Sequence, residues 1–284
     1  MTRLRIVTIN TGKGDGPYRR RLGWLAAELG RLAPDIVLLQ EALATPGGEL
    51  DTTAHLATEL KLAPAFAPAR RKPRAVEGVW HDTWSGLGVL SRIDAFRTGI
   101  VALPDHPDDG ERIALLGRWD VDGVDLVIAN VHLTHLRDRD DLRAEQFATV
   151  LSHPWLDVPG AVMLIGGDLN TRPTGLGWLR ATAAPRQLTD AFEAGGGARD
   201  RVTIPVGRPD LPGTCVDYLL TIEPAVQTSL TLSGAAVVLD RPDPDGVYPS
   251  DHYGIMVDME LPIAEKSSKG ARPVRPPHPR AAAS

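Results

Sequence analysis

Apolar and polar positions alternate in two different periods along the chain, and the change of period predicts strands separated by helices. Leu22, Leu25, Leu29 and Leu32 recur at helical spacing, so a helix is predicted over residues 18–32, and Pro34 ends it. Two further amphipathic helices are predicted over residues 50–61 and 139–151. Alternating or compact apolar runs predict strands at 3–9, 35–40, 115–121, 124–131, 161–165, 216–221 and 252–261, with another beginning at 88–90. This order predicts sheets covered by helices.

The segments between these elements carry turn and loop signals. Asp122-Gly123 predicts a hairpin turn between two of the strands. Residues 63–82 are rich in Pro and Arg and are predicted to form an exposed loop, residues 104–111 an acidic turn, and residues 171–214 a loop-rich region. Residues 1–262 are predicted to form one domain, because no linker divides them, and residues 263–284 a disordered tail rich in Pro, Ala and basic residues.

Composition narrows the classes of protein that fit. The chain has 284 residues, 43% hydrophobic content and a formal net charge of −5, so it can bury a large core but lacks a global basic character. This charge disfavours nucleic acid as a partner without excluding a local basic cleft. The single cysteine, Cys215, rules out an intrachain disulfide. The sequence shows neither a signal peptide nor a membrane span, so we expect a cytoplasmic monomer.

Polar side chains end or begin nearly every predicted strand. These residues are Asn10, Gln40, Glu41, His132, Asp168, Asn170, Asp217, Asp251 and His252. In α/β sheets the loops beyond strand ends are where sites are built. Asp168 and Asn170, two apart, point to the same side of an extended segment. The oxygen-rich set, without a cysteine cluster, suits a hard cation, Mg²⁺ or Mn²⁺, and the hydrolysis of a phosphate ester.

Two of these features have a purely structural alternative. Pro249, Ser250 and Asp251 are turn formers, so on local grounds His252 could be an exposed residue that follows a turn. Gly166-Gly167, just before Asp168, allows close approach of a ligand or of another backbone segment. The rest of the chain decides how the first of these is interpreted.

Eight short motifs occur in the order that is typical of one superfamily. They are T-I-N (8–10), L-L-Q-E (38–41), G-L-G-V-L-S-R (86–92), N-V-H-L (130–133), R-A-E-Q (143–146), G-G-D-L-N-T-R-P (166–173), V-D-Y-L-L (216–220) and S-D-H-Y (250–253). On these the chain resembles the endonuclease/exonuclease/phosphatase superfamily, which includes type I deoxyribonucleases. The resemblance implies a four-layer α/β/β/α sandwich of two packed mixed β-sheets flanked by helices, with α/β (α+β) character. It also favours a catalytic role for Asp251-His252 over a turn.

The resemblance further implies a role for each matching residue. Glu41 would be the principal Mg²⁺ ligand, with Asn10 assisting and Asp251 as a second acidic contact. Asp168 would position or deprotonate the attacking water, and Asn170 would hold the phosphate and orient Asp168. His252 would contact the phosphate or act as the base, with Asp217 orienting it. His132 would contact the phosphate or help the leaving group; which group is the base stays open.

Other positions keep two interpretations. Arg143 is a candidate for substrate binding, but Arg143 and Gln146 could equally pack their helix onto the strand ends. His132 and His135, three apart, could suggest a metal pair, but His135 is interpreted as an ordinary loop or rim residue. Arg70–Arg74, Trp80 and Trp84 either line a substrate rim or belong to a solvated loop. Leu87 stands where many relatives carry Asn, and the signatures of inositol 5-phosphatases are absent.

The substrate is the least defined part of this interpretation. A metal-dependent phosphoesterase acting on a small phosphate ester, such as a nucleotide or lipid head group, fits the charge at least as well as a DNA or RNA nuclease does. A nuclease would need a positive cleft and stacking aromatics. A catalytically silent binding protein is a further alternative, but it would be expected to have lost Glu41, Asp168, Asp217 or His252, and all four are present.

Overall fold

A computed structural model describes residues 2–205, 213–223 and 230–262, and these form two six-stranded sheets. The first sheet contains β1 (Arg3–Asn10), β2 (Ile36–Ala44), β3 (Ala63–Val76), β4 (Val79–Ser91), β11 (Thr231–Val238) and β12 (Gly254–Glu260). The second contains β5 (Arg97–Leu103), β6 (Arg112–Val121), β7 (Val124–His132), β8 (Val162–Asp168), β9 (Gln187–Asp190) and β10 (Asp217–Glu223). Their strand orders are β11-β12-β1-β2-β4-β3 and β5-β6-β7-β8-β10-β9.

Both sheets repeat one arrangement around a central parallel pair. Strands β1 and β2 are parallel in the first sheet, and β7 and β8 are parallel in the second. Every other pairing in the two sheets is antiparallel. The carboxyl ends of the two parallel pairs therefore define the place where a site can be built from both sheets.

Helices cover the outer faces and complete four layers. These are α1 (Tyr18–Leu32), α2 (Thr52–Leu60), α3 (Asp140–Leu151), α4 (Leu176–Ala183) and the short α5 (Ala191–Ala194), with 3₁₀ turns at Pro154–Asp157 and Pro173–Gly175. Apolar side chains of α1, such as Leu25, pack with Val37 of β2, whereas Phe147 of α3 packs with Val131 of β7. A third cluster, including Leu38 and Ile128, fills the space between the sheets. The four-layer sandwich of two mixed sheets is thus confirmed.

None of the described helices is long and apolar enough to cross a membrane. The compartment and the oligomeric state stay predictions. The predicted tail at 263–284 lies outside the described residues.

The predicted hairpin turn at Asp122-Gly123 is confirmed. Both residues have positive φ, 52° and 84°, which matches the twist of the flanking strands β6 and β7. The predicted strands and helices at 3–9, 18–32, 50–61 and 139–151 also form, with ends shifted by one or two residues.

The prediction of an exposed loop over residues 63–82 is wrong, because this segment forms β3 and the first part of β4. The two strands pair along their length around a Glu77-Gly78 turn in which both residues have positive φ, 49° and 82°. Pro64, Pro68 and Pro73 suggested a loop, but β3 is an edge strand, and an edge tolerates the missing N–H donors of proline.

Two other parts of the sequence prediction need correction. Strands β5 and β11 lie at edges of the sheets, and most of their side chains are exposed or partly buried, so their weak apolar signal hid them. The region at 171–214, predicted to be loop-rich, contains α4, β9 and α5 within its described residues. Short elements of four to eight residues carry little periodicity, so the sequence did not reveal them.

Candidate active site

One cleft of about 350 Å³ lies at the carboxyl ends of both parallel pairs. The first sheet contributes Asn10 and Glu41, and the second contributes His132 and Asp168. Asn170, Asp251 and His252 also line it, whereas Asp217 is fully buried behind His252. All eight metal-ligating and catalytic candidates from the sequence therefore lie at or directly beneath one cleft. The predicted strand ends are the common cause of this convergence.

Glu41 reaches the cleft through an irregularity in β2. Gln40 and Glu41 together stand opposite the single residue Leu87 of β4, because the register shifts between Leu39 and Ala42. Glu41 has a φ of 53°, an uncommon conformation for a residue other than glycine. A bulge of this kind re-aims a side chain next to a site. The carboxylate of Glu41 is mostly buried, and its Oε1 forms an ion pair with Lys13 Nζ at 2.5 Å.

Four residues surround the carboxylate of Asp168 at the end of β8. Its Oδ1 accepts a hydrogen bond from the backbone N–H of Asn170 at 2.9 Å, and its Oδ2 accepts one from Asn10 Nδ2 at 3.0 Å. The Nε2 atoms of His132 and His252 lie 3.5 and 3.9 Å from the same Oδ2. One carboxylate therefore links residues from both sheets.

Asn170 has a positive φ of 48°, and this conformation turns the chain immediately after β8. Its Nδ2 donates to the backbone oxygen of Leu133 at 2.9 Å and ties the turn to the segment after β7. Gly167 permits the close packing that precedes this turn: it has a φ of 134°, and a Cβ there would lie 2.0 Å from the oxygen of Val131. The close approach expected at Gly166-Gly167 is thus to another backbone segment.

His252 lies between two carboxylates. Its Nδ1 is 3.0 Å from Asp217 Oδ2 and its Nε2 is 3.9 Å from Asp168 Oδ2. The backbone N–H of His252 donates to Ser250 Oγ, which in turn donates to the backbone oxygen of Asn10. The segment before β12 is therefore fastened to the end of β1, and a solvated turn does not describe it. His252 is only 4% exposed.

Burial and these close charges shift the pKa values of the three central groups. Burial and the charge of Asp217 raise the pKa of Asp168 to about 6, against the opposing effect of His252. Burial would lower the pKa of His252, but Asp217, Asp168 and Asp251 raise it to about 10. Burial lowers the pKa of His132 well below its usual value, and Arg112 and Lys13 act in the same direction. At neutral pH the floor of the cleft thus combines a charged and an uncharged imidazole.

A buried amide pair fixes the distance between the two sheets directly below the cleft. Gln40 Nε2 donates to Asn130 Oδ1 at 2.7 Å, and Asn130 Nδ2 donates to the backbone oxygens of Leu39 and Gly88, both at 2.9 Å. Gln40 and Asn130 are fully buried. Such a hydrogen-bonded pair holds the sheets in register, since leaving either amide unpaired would cost about 1–3 kcal/mol. The L-L-Q-E and N-V-H-L motifs contain these two residues.

Arg21 of α1 holds the loop that follows β1. Its guanidinium donates to five backbone oxygens at 2.8–3.2 Å, those of Thr11, Gly12, Lys13, Asp15 and Pro249. Burial lowers the pKa of Arg21. The contact with Pro249 also fixes the turn that carries Asp251. Sequence reasoning missed Arg21, which lies in the helix on the outer face and gives no motif signal.

Arg143 does not line the cleft, so its assignment to substrate binding needs correction. Its guanidinium donates to the backbone oxygens of Thr134 and Leu136 and to Asp140. Gln146, one turn later, accepts from the N–H of Thr134 and donates to the oxygen of Pro104. These two residues pack α3 onto the loop after β7, which was the alternative interpretation of the R-A-E-Q motif.

Several cations line the cleft although the sequence analysis gave them no definite role. They are Lys13, Arg70, Lys72, Arg74 and Arg112. Arg112 Nη2 forms hydrogen bonds with Asp109 and His135 Nδ1. His135 is largely exposed and lines the cleft, which agrees with its interpretation as a loop or rim residue. Their signal was spread over two strands and a loop, and it was hidden by the overall acidic charge.

Two sets of side chains in or beneath the cleft offer donor atoms for a divalent cation. Glu41, Asp251 and Asn10 offer oxygen atoms along one side of the cleft, and Glu41 already pairs with a cation, the ammonium of Lys13. Asp168, Asp217 and His252 also place ligand atoms within 4.8 Å of one another. However, His252 and Asp217 are bonded to each other, so they are less suited to a metal than the first set. Oxygen ligands fit a hard cation better than zinc.

Comparisons with known proteins agree with this geometry. The profile of the Endonuclease/Exonuclease/phosphatase family matches residues 7–252, so the chain belongs to that family. Members of this family are metal-dependent phosphodiesterases, nucleases and phosphatases, and the chain is a phosphoric ester hydrolase of this class. No curated protein matches the sequence.

Solved structures of the same fold cover most of the chain. A structure of an endonuclease/exonuclease/phosphatase from Beutenbergia cavernae is 25% identical, with a TM-score of 0.69, and covers 92% of this chain and 72% of its own. Humanized TDP2 from D. rerio is 19% identical, with a TM-score of 0.68, over 91% of this chain and 99% of its own. D. rerio TDP2 in complex with a single-strand DNA product is 18% identical, with a TM-score of 0.68, over 92% and 100%.

Proposed function

We propose that residues 1–262 form a Mg²⁺- or Mn²⁺-dependent phosphoesterase that hydrolyses a phosphate ester by in-line attack of water. The chain of contacts from Asp217 through His252 and Asp168 to Asn10 carries this proposal, because it joins groups from both sheets at the floor of one cleft. Such a combination of carboxylates, imidazoles and amides is what hydrolysis of a phosphate ester requires. A metal held by Glu41, Asp251 and Asn10 would neutralise charge developing on the phosphate oxygens.

The protein side chains divide the remaining work. Asp168 positions the attacking water and accepts its proton, since one of its oxygens faces the cleft groups His132 and His252. Both ring nitrogens of His252 face carboxylates, so His252 acts as a cationic donor to a phosphate oxygen rather than as the base. Asp217 acts through His252 and is a positioning residue. Asn170 and His132 contact the phosphate.

The cleft supports a small or non-polymeric phosphate ester, such as a nucleotide or lipid head group, as the first substrate class. Its volume of about 350 Å³ lies at the lower end of the range for small-molecule pockets.

The single cysteine is buried and unpaired, which fits a reducing compartment such as the cytoplasm. We expect the protein to act as a monomer.

A nuclease is the second candidate because the cleft is lined by cations despite the acidic overall charge. The similarity in fold to TDP2 crystallised with a single-strand DNA product supports the same candidate. Exposed Trp80 is not among the residues that line the cleft, so it adds nothing to this argument.

The proposal is tested by Mg²⁺-dependent hydrolysis of bis-p-nitrophenyl phosphate, p-nitrophenyl phosphate and plasmid DNA. The wild type is compared with His252→Ala and Asp168→Asn, and thermal unfolding confirms that each variant is folded. Cleavage of a small ester that is lost in both variants supports the first substrate class, and nicking of plasmid supports the second. Metal-independent activity, or full activity in both folded variants, would contradict the mechanism. Inactivity on every substrate would favour a binding protein.

A further inference from the structure

A second irregularity brings three cations into the cleft. In β3, Pro68 pairs with Gly86 but Arg70 pairs with Ser85, so Ala69 is an extra residue without a partner opposite. Before this bulge, Ala67 faces the core between the sheets. After it, the side chains that continue on that face belong to even-numbered residues. Arg70, Lys72 and Arg74, here termed the basic row, consequently line the cleft.

The adjacent residue shows what the bulge achieves. Arg71 points to the opposite face, pairs with Asp82 and lies over the ring of Trp84 at 5.3 Å. Its charge is therefore neutralised on the outer side of the hairpin. Without the extra residue at 69, Arg71 would face the cleft and the basic row would face solvent.

The arginine side chains of the basic row form hydrogen bonds rather than ion pairs within the described residues. Arg70 donates to the backbone oxygen of Asp109, and Arg74 Nη1 donates to Thr83 Oγ1 at 2.8 Å. Within the residues that the structure describes, neither of them nor Lys72 forms a salt bridge with a carboxylate. By contrast, Lys13 and Arg112, the other cations of the cleft, pair with Glu41 and Asp109. The basic row is thus the cationic part of the cleft without a directly paired carboxylate, although Glu41 and Asp15 lie near enough to act on Arg74.

Like charges act on one another within the basic row. Burial lowers the pKa of Lys72, and the like charges of Arg74, Arg70 and Lys13 lower it further, while Asp15 partly offsets this. Burial also lowers the pKa of Arg74, while the nearby carboxylate of Glu41 opposes this and the charge of Arg70 adds to it. A bound anion would relieve this repulsion.

We propose that the basic row is a subsite for a second phosphate of the substrate, one that is not cleaved. This inference rests on the proposed function, because the scissile phosphate is taken to occupy the floor at His252 and Asp168. At about 3.3 Å per residue, the row extends roughly 13 Å along β3. It is therefore long enough to contact a phosphate group beyond the scissile one. The preferred substrate carries at least two phosphates, either within one small ester or along a nucleic-acid strand.

The first test compares binding of thymidine 5′-monophosphate and thymidine 3′,5′-bisphosphate by calorimetry in the presence of Mg²⁺. The wild type is expected to bind the bisphosphate roughly tenfold more tightly. Lys72→Gln should reduce this ratio to about two or less, and Lys72→Arg should restore it. Arg71→Gln is the matched control, because it removes the same charge from the next residue on the outer face.

The second test measures kcat/KM for the p-nitrophenyl ester of thymidine 5′-phosphate, with and without a 3′-phosphate. A preference for the 3′-phosphorylated ester that is lost in Lys72→Gln through KM, and kept in Arg71→Gln, supports the subsite. An equal ratio in the wild type and Lys72→Gln, or an equal loss in Arg71→Gln, overturns it. Hydrolysis of both esters without preference would overturn the subsite and leave the proposed function intact.

Binding and hydrolysis also separate the two proposals in the other direction. A bisphosphate preference in binding that depends on Lys72, without hydrolysis of either ester, would support the subsite and contradict the proposed function. A five-residue oligothymidylate then distinguishes the sources of the second phosphate. Tighter binding of the oligonucleotide than of the bisphosphate indicates a strand, and equal or weaker binding indicates a small ester.

Discussion

The first sheet presents Asn10 and Glu41 at the ends of its parallel pair, whereas the second presents His132 and Asp168 at the ends of its own. The topology around the two pairs is the same, but the depth and chemistry of their side chains differ. Asp168 is buried among hydrogen-bonding groups, while the carboxylate of Glu41 is slightly more exposed and forms an ion pair with Lys13. Topology therefore brings the groups together, and local irregularities decide what each one faces.

The outer strands next to the two parallel pairs differ even more. In the first sheet, β4 and β3 are 13 and 14 residues long and extend beside the cleft. In the second sheet, β9 at the corresponding edge has four residues. A specificity element can grow from the first sheet without disturbing the buried acid–base groups of the second. In the proposed mechanism the first sheet holds the metal and the second activates the water, whereas both sheets contact the substrate.

The largest expected effect comes from the second sheet. Asp168→Asn keeps the size of the side chain but removes the proton acceptor, so kcat should fall about 10³-fold. Raising the Mg²⁺ concentration should not restore the rate, because Asp168 is not assigned to the metal. Initial rates across a Mg²⁺ titration measure this, and recovery at high Mg²⁺ would contradict the division between the sheets.

Glu41→Gln tests the first sheet in the same titration. The lost carboxylate should lower the rate about 10²-fold at low Mg²⁺ and raise the Mg²⁺ concentration needed for half-maximal activity. Part of the activity should return as Mg²⁺ is raised. A loss that is independent of Mg²⁺ would show that Glu41 does not act through the metal.

The loops beside the two pairs should differ in their sensitivity to the loss of an arginine. Arg21→Lys removes a guanidinium that serves five backbone oxygens, so the free energy of unfolding should fall by about 2 kcal/mol. Arg143→Lys should cost about 1 kcal/mol, because Arg143 serves two backbone oxygens and the largely exposed Asp140. Urea denaturation measures both. Equal losses would refute the comparison.

The smallest effect concerns acid stability at Asp109, on the loop before β6. Burial would raise the pKa of Asp109, but His135 and Arg112 lower it below its usual value. A pKa that is lower in the folded than in the unfolded state stabilises the fold above about pH 4, and this contribution is lost as the pH falls. It should amount to about 1 kcal/mol. Asp109→Asn should flatten the pH dependence of the free energy of unfolding between pH 3 and 6; an unchanged profile would contradict it.

The sequence predicted the core of the fold and the convergence of the catalytic candidates because both depend on strong local signals. Buried strands such as 35–40 are compact apolar runs, and each ends in a polar residue. Strand ends of parallel pairs meet at one edge, so Asn10, Glu41, His132 and Asp168 could be placed together.

The sequence could not predict features that depend on pairing. The hairpin of β3 and β4 was hidden by prolines that only an edge strand accepts. The extra residue at Ala69 is visible only from the register, so the face occupied by Arg70, Lys72 and Arg74 could not be read from the alternation. Arg143 was placed by a motif whose residues turned out to hold loops.

The antiparallel pairing of β1 with β12 has a consequence for the order of the chain. The N–H of Leu261 donates to the oxygen of Thr2 at 2.9 Å, so these two positions are neighbours in space. A circular permutant joined from residue 261 to residue 2 by a short linker, and reopened at the Asp122-Gly123 turn, would keep every contact of the cleft. Among the eight catalytic and metal-ligating candidates, His132 would come first along the chain of that permutant and Glu41 would come last. The chemistry of the cleft therefore requires that these side chains meet at one place, whatever their order along the chain.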